Sequence, residues 1–277
     1  MTVAIDPTRA AELAAADQTN NPVILWDNIA TVSNITSLHG DETGGPATNA
    51  VTGTTYDPAI PTVSGGIAAL EVTGSSLVAN AACIYAHNIA DISASVRIQY
   101  SDDGGTSWSD AGAGAVTPTD NQAIIWRFDE QTHNDWRLQV FNASTNQPII
   151  GGFCIGTEIV IEQRFYAGYA PPITPNRVDL ISNKSEGSHL LGTRFVERGS
   201  AASVTIQHVN PATLRGATWK AFQNHFNRGG GFAFAWRPTK YGDGFWSWRG
   251  GNVIAPTNMG IKDLMEFGLD MRFYDEP

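Results

Sequence analysis

Histidine is the residue type in this 277-residue chain best suited to bind a metal or to act as a general base. The six histidines are His39, His87, His133, His189, His208 and His225. No two stand at the i, i+2 or i, i+4 spacing that places two ligands on one face of an element. The chain also lacks the G-x-S-x-G nucleophile turn and the glycine-rich phosphate loops. We therefore predict no catalytic residue, no metal site and no cofactor.

Carboxylates could act as the acid and base of a glycosidase, but such a pair comes from different strands, so spacing does not identify it. We interpret the carboxylates of the central region as solvated turn residues; they are Asp102, Asp103, Asp129, Glu130 and Asp135. The prediction is that the protein is not an enzyme. A hydrolase acting on a surface polymer is the alternative, and only the next motif favours it.

One local motif is specific, and it runs from Ser101 to Trp108 as Ser-x-Asp-x-Gly-x-x-Trp. The pattern is similar to the Asp box hairpin of sialidases. Asp103 can accept hydrogen bonds from turn amides, Gly105 can adopt a positive φ, and Trp108 can pack beneath the hairpin. We predict that Ser101, Asp103, Gly105 and Trp108 staple a turn, and contact with a sugar is the alternative.

Most of the chain alternates between apolar and polar residues, as half-buried strands do. Segments rich in Gly, Asp, Thr and Pro, at 39–53 and 101–119, separate the runs and predict loops. The predicted fold is therefore mainly β, a β-sandwich followed by a smaller β-rich (α+β) domain with one packed helix. The clearest alternating runs are 96–100, 124–129, 136–141 and 265–273.

A proline cluster divides the chain, because Pro171, Pro172 and Pro175 disrupt regular strand pairing. We predict one helix in the second half, at about 211–227, which begins after Asn210 and ends before the glycines at 229–231. The predicted parts are an N-terminal arm at 1–22, a sandwich at 23–165, a Pro-rich linker at 166–176 and a C-terminal domain at 177–277.

Composition excludes several partners. The net charge of −10 disfavours nucleic acid and anionic lipid, and no apolar run reaches the ~20 residues that span a bilayer. We therefore expect a protein or a neutral polymer as partner, with no nucleic acid and no membrane insertion. The two cysteines, Cys83 and Cys154, are expected to be buried free thiols, and a bond between neighbouring strands is the alternative.

Several segments of the first half resemble the galactose-binding-like (discoidin) jelly roll. The segments are 46–51, 55–57, 84–89, the Asp box and 136–138. The resemblance implies a jelly-roll fold with glycan-binding loops at one end, whose candidate residues are His39, Asp41, Asn49, Tyr56 and Asp57. The segment 51–54 departs from the family pattern because it lacks the carboxylates that hold calcium there.

The second half resembles the C-terminal domain that follows such a jelly roll in tail proteins of tailed bacteriophages. The similar segments are 185–187 with 191–192, the predicted helix, 232–238, 258–260 and 264–266. The resemblance implies a structural subunit of the distal tail or baseplate, assembled in the bacterial cytoplasm as a homo-oligomeric ring with other tail proteins. A carbohydrate-binding host-recognition module, or a virion decoration protein without a ring-forming role, is the alternative.

An aromatic run between residues 241 and 248 is the candidate subunit interface, because aromatic side chains are enriched in buried contacts between proteins. Its predicted contact residues are Tyr241, Phe245, Trp246 and Trp248. The alternative is that Trp246 and Trp248 face the core of their own domain.

Overall fold

The structure, a computed structural model, describes residues 2–143, 146–165, 169–172, 177–260 and 263–274. The strands are β1 Thr2–Ile5, β2 Val23–Leu25, β3 Ile35–Ser37, β4 Ile67–His87, β5 Ser95–Ser101, β6 Ser109–Asp110, β7 Ile124–Phe141, β8 Ile150–Gly156, β9 Glu158–Val160, β10 Arg177–Lys184, β11 Leu190–Val209, β12 Phe232–Ala235, β13 Phe245–Arg249, β14 Thr257–Asn258 and β15 Met265–Phe273. The helices are α1 Pro7–Ala15, α2 Pro211–Arg215 and α3 Ala217–Asn227, with a 3-10 turn at Ala47–Val51.

Two long strands, β4 and β7, organise the first part of the chain by pairing antiparallel along most of their length. The ladder is interrupted between Thr73 and Leu77 and between Ala79 and Ala81, where shifts in register bend the strands. β3 and β8 pair with the first and second halves of β4, and β5 pairs with the second half of β7.

Apolar residues from both halves of the bent sheet form one buried cluster, so the halves face each other as the layers of a sandwich. The layer that contains β3 and β5 contributes Leu70, Val72, Ile98 and Leu138, and the layer that contains β8 contributes Ile84, Trp126, Phe128 and Ile155. The alternation read from the sequence therefore identifies the core face correctly. The mainly β prediction, with a sandwich in the first part, is confirmed.

The sandwich has two ends with different connections. Register places Ile67, Ser95 and Phe141 at one end, from which the segments 38–66, 88–94, 142–143 and 146–149 emerge. We call it the loop end. Thr73, Ser101 and Asp135 lie at the other end, where the motif at 101–108 lies. We call it the Asp-box end.

The predicted N-terminal arm is built into the first unit. β1 pairs in parallel with β7, and the Asp6 carboxylate caps α1 by accepting from the backbone N–H groups of Thr8 and Arg9. Arg9 Nη2 lies 2.6 Å from Glu158 Oε1, and Glu158 Oε2 lies 2.6 Å from Arg127 Nε. The segment is therefore held by strand pairing and a buried ion cluster, which the sequence pattern did not reveal.

The chain forms two compact units, and their division differs from the predicted linear one. The first unit comprises Met1–Arg164 and Gly231–Trp246, and the second comprises Phe165–Gly230 and Ser247–Asp275. The segment 231–246 returns to the first unit because β12 pairs antiparallel with β2 and Trp246 stacks on Tyr85 at 3.8 Å. Of the predicted linker, only 169–172 belongs to the described residues.

In the second unit, β11 pairs with β10 and β15, and β15 also pairs with β13 and β14. The predicted single helix is two helices, because Gly216 has an extended ψ of 150° and ends α2. α3 buries Trp219, Phe222 and Phe226, and the Trp219 ring lies 4.7 Å from that of Phe267 on β15. The helix therefore packs on the sheet through these aromatic side chains.

Candidate functional site

The long connection after β3 is folded back on itself at the loop end. Glu42 N donates to Ile60 O at 2.9 Å, Ile60 N donates to Gly45 O at 2.8 Å, and Thr62 N donates to Gly40 O at 2.9 Å. These bonds join the segment 40–45 to the segment 60–62. The residues between them form one bounded loop, in which the 3-10 turn Ala47–Val51 buries Ala47 and Ala50 and the segment 52–57 is exposed.

Three polar side chains connect the two segments at the base of this loop, 40–45 and 60–63, to a neighbouring loop. Glu42 Oε1 accepts from Thr62 Oγ1 and from Gln147 Nε2, both at 3.1 Å. Gln147 Oε1 accepts from Val63 N at 3.0 Å, and its carbonyl accepts from Asn88 Nδ2 at 3.2 Å. Glu42, Gln147 and Asn88 were missed by sequence reasoning, because nothing in the local pattern indicates contacts between residues this far apart in sequence.

The five predicted glycan-contact residues all lie in this loop system. Asp41 forms an isolated bridge with Pro61 and accepts from Ser37 Oγ, and Asn49 Nδ2 donates to Pro58 O at 3.3 Å. Tyr56 and Asp57 directly precede Pro58, and His39 is the second residue after the end of β3. The side chains of His39, Asp41, Tyr56 and Asp57 are exposed, and Tyr56 is 89% exposed. The same connection between β3 and β4 therefore carries an exposed aromatic ring and several exposed polar groups.

The Asp-box turn has the predicted internal contacts. Asp103 Oδ1 accepts from Ser101 Oγ at 2.8 Å and from Ser107 N at 2.9 Å, and Asp103 Oδ2 accepts from Ser107 Oγ at 2.6 Å. Gly105 has a φ of +79°, and Trp108 Nε1 donates to its carbonyl at 3.0 Å. The hydrogen bonds from Ser107, followed by that from Ser101, lower the pKa of Asp103 to about 2. These hydrogen bonds hold the turn from Ser101 to Trp108.

A histidine ties this turn to the adjoining β7 strand. His133 Nδ1 lies 2.8 Å from Asp102 Oδ2, and its ring stacks on Tyr100 at 3.6 Å. The hydrogen bond from His133 lowers the pKa of Asp102. The carboxylates of Asp102 and Asp103 therefore accept hydrogen bonds from β7 and from within the turn, respectively. The turn also lies at the end of the sandwich opposite the predicted glycan loops.

The predicted interface residues divide into two groups. Phe245 and Trp246 are 3% and 6% exposed, and Trp246 stacks on Tyr85, so these two side chains pack inside the first unit. The alternative of core packing therefore applies to Trp246. Trp248 is half-buried, and Tyr241 is 48% exposed while it stacks on Trp236 at 5.2 Å.

The two cysteines are buried thiols on neighbouring strands. Cys83 of β4 and Cys154 of β8 are directly opposite in the antiparallel register, which is the position that the disulfide alternative requires. Burial raises the pKa of both thiols. Within the described residues, no group of three or more His, Cys, Asp or Glu side chains is arranged to hold a metal ion. Nor does the described part of the chain contain a helix long and apolar enough to cross a membrane.

Comparisons with known proteins return solved structures alone. No protein-family model matches the chain, and no curated protein matches it significantly. The solved structures include chitosan-binding module 1 of a chitosanase/glucanase from Paenibacillus sp. IK-5, with 21% identity, 47% of this chain and 98% of that chain covered, and a TM-score of 0.39.

Two further structures are similar at lower identity. One is CpGH89CBM32-5 from Clostridium perfringens, in complex with GalNAc-β-1,3-galactose. Its identity to this chain is 10%, the match covers 44% of this chain and 93% of that chain, and the TM-score is 0.38. The other is a GH29 fucosidase of Ruminococcus gnavus in complex with fucose, with 11% identity, 55% and 30% coverage, and a TM-score of 0.40. Each TM-score is below 0.5, so the fold assignment rests on the strands of the chain itself.

Proposed function

We propose that the protein is a non-catalytic carbohydrate-binding protein, and that the loop end of its first unit contacts a glycan such as a host-surface polysaccharide. The observation that carries the proposal is Tyr56, whose ring is 89% exposed within a loop that hydrogen bonds hold in place. Sugar sites combine an aromatic face with a few directed polar groups. Tyr56 supplies the aromatic face, and Asp41, Asn49 and Asp57 supply acceptors and a donor.

The hydrogen bonds at the base of the loop that carries Tyr56 favour a preorganised site. The contacts of Glu42 with Thr62 and Gln147 hold the base of the loop before any ligand is present. Because the loop is already ordered, binding avoids part of the entropy cost of immobilising it. The net charge of −10 favours a neutral glycan over an acidic one.

A glycan array followed by calorimetry tests this proposal. Tyr56→Ala should weaken binding at least about tenfold, equivalent to ~1.4 kcal/mol, because the stacking face is lost. Tyr56→Phe keeps the ring and should bind within a few-fold of the wild type. Neither change should alter the melting temperature, since the side chain packs against so little of the protein.

The matched control is Tyr241→Ala, which removes another partly exposed tyrosine that stacks on Trp236 instead of projecting into solvent. This variant should bind glycans as the wild type does. Equal loss of affinity in Tyr56→Ala and Tyr241→Ala, or the absence of glycan binding by the wild type, would contradict the proposal.

The second candidate function that we propose is that of a ring-forming subunit of a bacteriophage tail, located in the virion. The hairpin of β10 and β11 supports it. Every described side chain from 181 to 194 except the half-buried Ser185 is exposed. Apolar members of this ribbon are Ile181, Leu190 and Leu191, which are 55%, 62% and 68% exposed. A two-stranded ribbon is marginally stable in water, so contact with another subunit would stabilise it.

Native mass spectrometry of the purified protein tests the second candidate. The wild type should form a closed oligomer, and the double variant Ile181→Ser, Leu191→Ser should shift it towards monomer. Thr193→Ser, on the same ribbon, is the control and should leave the oligomer intact. A wild-type protein that is monomeric at every concentration and absent from virions would contradict a ring-forming role.

A further inference from the structure

The sandwich layer that contains β3 and β5 carries the same pattern, Arg-x-Gln, on the outer face of two neighbouring strands. β5 contains Arg97 and Gln99, and β7 contains Arg137 and Gln139. The antiparallel register pairs Arg97 with Gln139 and Gln99 with Arg137. Residues two apart on a strand point to the same side, so all four side chains share the face opposite the apolar core.

Both arginines are held in the same way. Arg97 Nε donates to Gln139 Oε1 at 2.7 Å, and Arg137 Nε donates to Gln99 Oε1 at 2.8 Å. The Arg137 guanidinium lies 4.2 Å from the centre of the Trp108 ring, and the Arg97 guanidinium lies 5.2 Å from that of Phe141. Each guanidinium is therefore oriented by a glutamine and supported by an aromatic ring.

Each arginine also has a carboxylate partner. Arg137 Nη1 lies 3.7 Å from Glu71 Oε1, and Arg97 Nη1 lies 3.3 Å from Asp110 Oδ1. Asp110 Oδ1 further accepts from Gln99 Nε2 at 2.8 Å, which links the two halves. These four groups form two ion pairs, whose charges balance at neutral pH.

The network leaves hydrogen-bonding capacity for a ligand. The distance between Arg137 Nη1 and Glu71 is that of an ion pair but exceeds a direct hydrogen bond. The guanidinium of Arg137 donates through Nε to Gln99 Oε1. The side chains of Arg97 and Asp110 are 31% and 45% exposed, whereas those of Arg137 and Glu71 are 11% and 22% exposed. Guanidinium donors therefore lie beside carboxylate acceptors on an ordered surface.

Adjacent donors and acceptors match the vicinal hydroxyl groups of a sugar, each of which can accept from a guanidinium and donate to a carboxylate. A charged ligand would disturb the balance of the two ion pairs, whereas a neutral one would not. We propose that this face, which we call the arginine ladder, is a second binding surface for a neutral, hydroxyl-rich polysaccharide, separate from the loop end around Tyr56. The inference rests on the proposed function of carbohydrate binding.

Affinity electrophoresis of the full chain in native gels tests the inference. The gels contain dextran, galactomannan, xyloglucan or polygalacturonate. At least one neutral polymer should retard the wild type, and the acidic polygalacturonate should not. The double variant Arg97→Gln, Arg137→Gln should raise the dissociation constant for that neutral polymer at least about tenfold. Arg164→Gln removes an exposed arginine paired with Asp17 elsewhere on the unit, and it should leave retardation unchanged.

A local spectroscopic measurement guards against an effect of misfolding. The Nε–H groups of Arg97 and Arg137 are hydrogen-bonded and should give resolved signals in nitrogen-15 NMR spectra, which the single variants assign. Both signals should shift when oligosaccharides of the retarding polymer are added. Signals that stay in place under saturating oligosaccharide would overturn the inference.

The outcomes separate this surface from the loop end. Loss of retardation in the arginine double variant but not in Tyr56→Ala supports the arginine ladder and overturns the site at Tyr56. Loss in Tyr56→Ala with full retardation of the double variant overturns the arginine ladder and leaves the proposed function standing. Retardation by polygalacturonate alone, or by no polymer, also overturns the arginine ladder, while the glycan array still decides the proposed function.

Discussion

The two ends of the first β-sandwich use similar residue types in opposite ways. At the Asp-box end, Ser101, Asp103 and Ser107 bond to one another, and Trp108 donates to the turn. At the loop end, Tyr56 and Asp57 project into solvent while residues behind them make the structural bonds. Aspartate and aromatic residues therefore stabilise a turn where their bonds are local, and they remain available to a ligand where other residues hold the loop.

The two ends also differ in how their titratable groups respond to acid. Hydrogen bonds lower the pKa of Asp103 to about 2, so the contribution of this carboxylate is lost only as the pH falls through that range. At the loop end, burial lowers the pKa of His87 to about 4 although its ring is hydrogen-bonded to Gln122 O at 2.9 Å. Mild acid should therefore affect the loop end first.

The largest expected effect is a loss of stability between pH 6.5 and pH 4. Over this range His87 is protonated in the unfolded chain but not in the folded chain. The free energy of unfolding therefore decreases as the pH falls. A pKa lowered from 6.5 to about 4 corresponds to roughly 3 kcal/mol of unfolding free energy. Urea unfolding at a series of pH values measures the loss.

The variant His87→Gln isolates this contribution, because glutamine can still bond within the site but does not titrate in this range. Its unfolding free energy should change much less than that of the wild type between pH 6.5 and pH 4. Parallel stability curves for the two proteins would show that another group is responsible.

Contacts that are close in sequence could be predicted, whereas contacts between distant segments could not. Alternation correctly identified the core faces of β5, β7 and β15 because a strand's side chains alternate in a fixed way. The Asp box was predictable because its bonds join residues within eight positions. The arginine ladder and the contact between Gln147 and Glu42 depend on register between strands and loops, which a single sequence does not encode locally.

Long-range pairing also explains the difference in domain division. The proline cluster marks the change of unit near residue 165, but nothing in the local pattern of β12 indicates that it pairs with β2. Similarly, Asn210 and the glycines at 229–231 predict one helix between them, whereas the backbone at Gly216 divides it in two. Periodicity reports which face is buried, and it does not report the partner.

The next expected effect is at the loop end, where Gly45→Ala should cost about 2 kcal/mol of stability. A Cβ at this position would lie 2.5 Å from Ile60 Cγ1 and 2.9 Å from the Ile60 backbone nitrogen. The added methyl group must therefore separate the two segments that hold the loop. Glycan affinity should fall together with stability, as calorimetry and thermal unfolding would measure.

Gly44→Ala is the matched control for this change. Gly44 has a φ of +88° and open space around its Cβ position, so alanine there incurs backbone strain without a clash. We expect a loss of about 1 kcal/mol from the left-handed backbone alone. A Gly44→Ala variant less stable than Gly45→Ala would contradict the steric explanation.

The smallest expected effect is at the Asp-box end, where Gly105→Ala should cost about 1 kcal/mol because its φ of +79° disfavours a side chain. The new Cβ would lie 3.4 Å from Trp108 Cζ2, which is ordinary contact, so strain alone sets the loss. Gly105→Asn should lose less, since asparagine tolerates this conformation better. Thermal unfolding measures both variants. Glycan binding that depends on Tyr56 should be unchanged in both, and a parallel loss of that binding would mean that the two ends are coupled.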